Sequence, residues 1–244
     1  MRLLLINANT IAAMTDRLAA AAQRMAGDDI EVAGVTARFG GRYIATRATY
    51  AIAGHAALEA YAEHAAGADA VLLACFGDPG LAALREIADV PVIGMAEAAC
   101  REAARRGRFA VVTGGAAWRP MLEEFVATLG LRNQLAAVRT VAPTGREIAA
   151  DPAGSAGVLA AQCRAAVFED GADVVILGGA GLIGIAELIA EQVPVPLIDG
   201  LAAAVGAAKA ALREPRPGRT FAAPVGSVGL GGRLAALLAG RTAS

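Results

Sequence analysis

The sequence has little of what several functional classes need. It carries only three cysteines, Cys75, Cys100 and Cys163, and only two histidines, His55 and His64. None is spaced as a zinc-ligand pair or a Cys-x-x-Cys motif, so no metal site is expected. Aromatic residues make up 4% of the 244, too few for a platform that stacks bases. The 22 Lys and Arg nearly cancel the 23 Asp and Glu, leaving no positive surplus for a phosphate backbone. Nucleic acid is therefore not an expected partner. Long apolar runs are also missing: mean hydropathy is high at +0.51, yet charges, Gly or Pro break every run well short of the roughly 18 residues a membrane span needs. The opening stretch Met1-Arg-Leu-Leu-Leu-Ile-Asn7 is too short for a signal-peptide core, and the expectation is a cytoplasmic protein.

What is abundant is hydrophobic residue, 56%, enough to build a core. Short runs rich in Val, Ile and Leu alternate with longer alanine-rich stretches, the pattern of a parallel α/β protein. Strands are expected at Leu3–Ile6, Glu31–Val35, Ala70–Ala74, Pro91–Ile93, Phe109–Val112, Asn133–Val141, Val174–Leu177 and Val195–Ile198. Helices are expected at Thr15–Ala26, Tyr50–Ala66, Gly80–Ala88, Ala96–Arg106, Pro120–Leu129, Gly154–Glu169, Ile185–Gln192 and Gly200–Leu212.

An internal repeat organises these elements. Gly77, Gly80, Ala82 and Leu84 match Gly181, Gly184, Ala186 and Leu188; one inserted residue then aligns the strands that begin at Pro91 and Pro196. The opening Arg2-Leu-Leu-Leu-Ile-Asn7 likewise echoes Arg108-Phe-Ala-Val-Val-Thr113. Two pseudo-symmetric α/β lobes follow, with mainly parallel sheets flanked by helices and a site in the cleft between them. Residues 1–98 plus 213–244 are assigned to lobe one and 99–212 to lobe two. In this register Cys75 is matched by Gly179.

Ligands of open parallel sheets gather at the carboxyl ends of strands, where unpaired backbone N–H groups meet an anion. The loops that qualify are Asn7-Ala-Asn9-Thr10, Cys75-Phe76-Gly77-Asp78-Pro-Gly80, Gly94-Met-Ala-Glu97, Thr113-Gly-Gly115 and Gly178-Gly179-Ala180-Gly181. Cys75 lies just beyond a buried strand, where the following helix would lower its pKa and make it a proton-abstracting thiol; it would equally serve as a small buried hydrophobe. Cys100 and Cys163 read as packing, His55 and His64 as solvated or capping groups. Asp78 and Glu97 are open between capping and acid/base roles. Gly179-Ala-Gly181-Leu-Ile-Gly184, with Asp199 after it, formally meets the dinucleotide fingerprint, but the repeat explains two of its glycines without a nucleotide.

Ile6-Asn-Ala-Asn9-Thr10, Ala74-Cys75-Phe-Gly-Asp78-Pro-Gly80, Gly94-Met-Ala-Glu97, Phe109-Ala-Val-Val-Thr113 and Leu177-Gly-Gly179-Ala-Gly181 together resemble the hydantoin and allantoin racemases of the aspartate/glutamate racemase superfamily. The resemblance implies no cofactor, a small-molecule substrate, a homo-oligomer, and deprotonation beside a carbonyl by one cysteine with reprotonation by a second. It places Cys75 as acid/base and Gly179 where the second cysteine would stand. Asn9, Thr10, Phe76, Gly77, Thr113, Ala180 and Gly181 become substrate-binding candidates, with Phe39, Tyr43 and Trp118 as further pocket walls. Glycine has no proton to give, so three readings stay open. The chain is a racemase substituted at that position, a natural single-thiol enzyme of the arylmalonate decarboxylase kind, or a member that binds a ligand without turning it over.

Overall fold

A computed structural model describes residues 1–215 and 224–240. Residues 216–223 and 241–244, part of the segment assigned to lobe one, lie outside the described residues.

The first half builds β1 (Arg2–Asn7), α1 (Ala12–Ala26), β2 (Glu31–Thr36), α2 (Arg47–His64), β3 (Ala70–Leu73), α3 (Leu81–Ile87), β4 (Val92–Gly94) and α4 (Met95–Ala104). The second half builds β5 (Phe109–Gly114), α5 (Trp118–Thr128), β6 (Leu135–Val141), α6 (Gly145–Ala150), α7 (Pro152–Phe168), β7 (Val174–Leu177), α8 (Ile185–Ile189), β8 (Leu197–Asp199) and α9 (Gly200–Ala211). α10 (Gly232–Leu238) follows and packs on α2. Both sheets are wholly parallel, ordered β2-β1-β3-β4 and β6-β5-β7-β8. The registers repeat as well: Leu3 faces Ala70 as Phe109 faces Val174.

That strand order carries the functional argument. The chain leaves β1 toward β2 on one side and returns to β3 on the other, so the loops after β1 and β3 diverge and leave a crevice at the carboxyl edge. The same holds for β5 and β7. Asn9, Cys75 and Gly179, in the loops after β1, β3 and β7, and Thr113, near the end of β5, are thus set at two equivalent crevices.

The helices bind the halves together. α4 follows the first sheet but lies against β5 and β7 of the second; α9 follows the second sheet but lies against β3 and β4 of the first, and the two helices pack on one another. Their buried faces are small, with Ala96, Ala99 and Ala103 on α4 and Ala203, Ala204 and Ala208 on α9, which lets the backbones approach closely. Alternation along β5 and β7 divides the apolar side chains. Phe109, Val111, Val174 and Ile176 join Leu72, Met95 and Leu201 in one core running through both halves, while Ala110, Val112, Val175 and Leu177 pack outward under α7 and α8. No helix among the described residues is long and apolar enough to cross a membrane.

Two helices escape the sequence reading, α6 and α10. The first is six residues long, yet Thr144 and Glu147 form a reciprocal capping box at its start, and Thr-x-x-Glu was visible in the sequence. The strand expected from Val195 begins instead at Leu197, and the strand expected from Asn133 starts at Leu135 after a short 3₁₀ turn at Arg132–Gln134.

Candidate active site

A cavity lies where the two crevices meet. It holds roughly 590 Å³ of empty space, part of it continuous with solvent. Asn9, Cys75, Phe76, Thr113, Gly179, Ala180 and Gly181 all line it, brought from the carboxyl ends of β1, β3, β5 and β7 in both halves. Tyr43 and Trp118 are walls, but Phe39 is not: it lies edge-on to His55, with ring centroids 4.9 Å apart. Thr10 and Gly77 are also outside the lining. The Thr10 N–H is spent on the Gly41 carbonyl at 3.2 Å, and the Gly77 carbonyl accepts the Tyr50 hydroxyl at 2.6 Å.

The sequence reading missed Ile11, Met14, Ile44, Gly145, Arg146 and Leu182. α6 brings Gly145 and Arg146, so overlooking that helix hid a cation on the rim. Tyr43 anchors the same helix by accepting the Gly145 N–H at 2.9 Å.

Close approach shapes the walls. A Cβ on Gly178 would overlap the Phe76 ring, which crosses from the first half to the second; a Cβ on Gly77 would come within 2.8 Å of Trp118, which crosses the other way. Gly181 abuts the Gly145 carbonyl so tightly that any side chain would collide with it. Asp199 accepts from Leu201 and Ala202 at the start of α9 and from the Gly184 N–H at 3.0 Å. Chain contacts thus occupy Gly181, Gly184 and Asp199 of the formal dinucleotide fingerprint.

Cys75 is 8% exposed and lines the cavity. Its pKa is not lowered as the sequence reading expected. Burial pushes the thiol well above its ordinary value, and the negative charge of Asp78 adds to the effect. The helix expected to favour the thiolate begins only at Leu81, and its intervening turn brings a carboxylate instead. Cys100 and Cys163 are buried mid-helix, on α4 and α7.

Asp78 and Glu97 hold structure. Asp78 is 2% exposed and accepts the N–H groups of Ala96 at 3.0 Å and Glu97 at 2.8 Å, capping α4 from the neighbouring loop. In the repeat, Gly94 stands where Asp199 stands in the second half, and a Cβ on Gly94 would overlap the Asp78 carboxylate. The same helix-capping role is therefore filled from two different sequence positions. Glu97 meets Arg85 and Arg101, each at 2.7 Å; burial works against its charge, but the two guanidinium groups overcome it and hold the carboxyl below its usual range.

Hydrogen-bond donors remain for a ligand. Among the described residues, the backbone N–H groups of Cys75, Phe76, Gly179 and Ala180, all on the cavity lining, make no hydrogen bond to the protein. The Asn9 side-chain oxygen accepts from the Ile11 N–H at 2.9 Å and from Asn7 Nδ2 at 3.0 Å, which leaves its own NH₂ to the cavity. Oriented donors around a sulfur can stabilise charge developing on a carbonyl oxygen while a proton moves at the adjacent carbon. Among the described residues no three His, Cys, Asp or Glu side chains gather as a metal site requires.

Comparison with known proteins agrees with this architecture. The sequence pattern of the Asp/Glu/Hydantoin racemase family matches residues 3–208. A hydantoin racemase from Pseudomonas sp. (strain NS671) is 33% identical over 207 residues, 84% of this chain and 83% of that protein. The allantoin racemase of Pseudomonas fluorescens superposes with a TM-score of 0.88 at 30% identity, covering 94% of this chain and 100% of that one. For the allantoin racemase from Klebsiella pneumoniae the TM-score is 0.86 at 32% identity, with 97% and 98% covered.

Proposed function

Because the chain belongs to the Asp/Glu/Hydantoin racemase family, we propose that it racemises a hydantoin- or allantoin-type substrate, with Cys75 exchanging the proton on the carbon next to a ring carbonyl. The observation that carries this reading is the placement of Cys75 in a cavity among unpartnered N–H groups. The enolate oxygen formed on deprotonation is held by the N–H groups of Cys75 and Phe76, with Asn9 adding a side-chain hydrogen bond. Donors of this type are each worth about 3–4 kcal/mol to a transition state when they are aimed at the charge as it forms.

Burial of the thiol fits the task. A carbon acid beside a carbonyl is weak, and a base of raised pKa narrows the gap that proton transfer must cross. The cost is that the neutral thiol predominates in the empty site, so only the minor thiolate form abstracts. Ile11, Met14, Ile44 and Trp118 give the cavity an apolar wall for a ring substituent.

The test is a single enantiomer of a 5-substituted hydantoin, and separately of allantoin, incubated in D₂O and followed by polarimetry and by NMR of the stereocentre. The parent protein loses optical rotation and incorporates deuterium; Cys75→Ala slows both by about 10²-fold or more. If Cys75→Ala exchanges at the parent rate, the role given to this thiol is wrong. Carbon dioxide released from an arylmalonate, with no exchange of hydantoins, would replace racemisation by single-thiol decarboxylation.

A further inference from the structure

Inverting a stereocentre needs a proton delivered to the face opposite the one that lost it, and among the described residues the second half offers no second sulfur at the cavity. What it offers there is Thr113. This residue ends the apolar part of β5, is 5% exposed and lines the cavity, and its hydroxyl has no hydrogen-bond partner among the described residues. The repeat sharpens the point. Thr113 is the counterpart of Asn7, whose side chain is fully committed to its own loop through Asn9, Ile11 and Thr15. Thr113 has no comparable duty.

Its hydroxyl faces Gly179, the counterpart of Cys75. A Cβ built on Gly179 would stand 3.6 Å from Thr113 Oγ1. With hydrogen in place of a side chain, the space beside Thr113 Oγ1 and Leu182 is left open, and the N–H groups of Gly179 and Ala180 on the same turn have no partner among the described residues. A water molecule needs two to four polar partners to be held, and the threonine hydroxyl and this turn carry three unpartnered polar groups.

We propose that Thr113, with the Gly179 turn, positions a water molecule that protonates the substrate carbon on the face opposite Cys75, so that one sulfur and one water replace a pair of acid/base side chains. This rests on the reading of Cys75 given above. The Cys75 thiolate takes the proton and becomes a thiol. The enolate carbon takes a proton from the water, and the new C–H bond forms on the other face. The hydroxide left behind takes a proton from solvent, and Cys75 returns its own to solvent, so no net proton is gained or lost. Thr113 is a positioning residue in this scheme.

The test compares the parent, Thr113→Val and Thr113→Ser with one hydantoin enantiomer in D₂O, reading inversion by chiral chromatography and exchange by NMR. In Thr113→Val, which keeps the shape and loses the hydroxyl, the ratio of inversion to exchange falls by roughly 10²-fold; Thr113→Ser, which keeps the hydroxyl, restores it. A merely structural role would slow both processes together and leave the ratio unchanged. An unchanged ratio in Thr113→Val overturns the proposal. So does a parent protein that exchanges without inverting, an outcome that leaves the Cys75 reading intact. A parent that neither exchanges nor inverts overturns both.

Discussion

Asp78 stands in one of the few sparsely populated backbone conformations of this chain, a non-glycine at φ 54°, because its carboxylate must reach back over Gly94 to the first turn of α4. Two opposing effects set its charge. Burial disfavours the anion and is the larger, while the two N–H groups favour it; together they push the carboxyl up to about 7. The sign for stability follows from linkage. The folded carboxyl binds its proton more tightly than the unfolded one at 3.8, so its contribution is fully present below about pH 4 and is lost as pH rises through about 7. The urea midpoint of the parent is thus expected to fall between pH 5 and pH 8, and that fall to shrink in Asp78→Asn. Asp78→Ala leaves both N–H groups unpaired and costs about 2–4 kcal/mol, read as a lower melting temperature. The sequence named this residue without fixing its duty. The choice depended on what approaches across Gly94, a tertiary fact.

At the scale of elements, the strands were legible because apolar runs bounded by Gly, Pro and charge leave little else for those residues to do, and Val174–Leu177 was placed to the residue. Seven cavity residues were legible for a related reason: Asn9, Cys75, Phe76, Thr113, Gly179, Ala180 and Gly181 lie at or just beyond strand ends at the two crevices, where the topology gathers ligands. Arg146 was hidden, since a six-residue helix has too little periodicity to announce itself. So was the actual environment of Cys75, because the fate of its thiol depends on burial and on Asp78 rather than on the helix after it. The packing of α6 against the turn at Gly181 yields an expectation of its own. Gly181→Ala forces a methyl group into the Gly145 carbonyl, displaces α6 and costs about 1–3 kcal/mol in stability. It also raises KM for the ring substrate, because Gly145 and Arg146 shift with the helix. A substrate KM and melting temperature equal to the parent's would refute that coupling.

The whole molecule has two sheets but one principal core. Leu72 and Leu73 of β3, Met95 of α4, Ile176 of β7 and Leu201 of α9 belong to the same buried cluster, so neither half can open without exposing the other's apolar face. A single cooperative unfolding transition is expected, with fluorescence of Trp118 and far-ultraviolet circular dichroism giving the same midpoint in urea. Two separated transitions would mean that the crossing helices do not couple the halves.

The exchange of α4 and α9 has a consequence for ancestry. A polypeptide of half this length, with one four-stranded sheet and its final helix, would present to a second copy of itself the same surfaces that the two halves present to each other here. The present chain has the form of such a pair of subunits fused end to end. Fusion frees the two copies from identity: a cysteine on one side can stand opposite a glycine on the other, which no symmetric dimer of identical chains could encode.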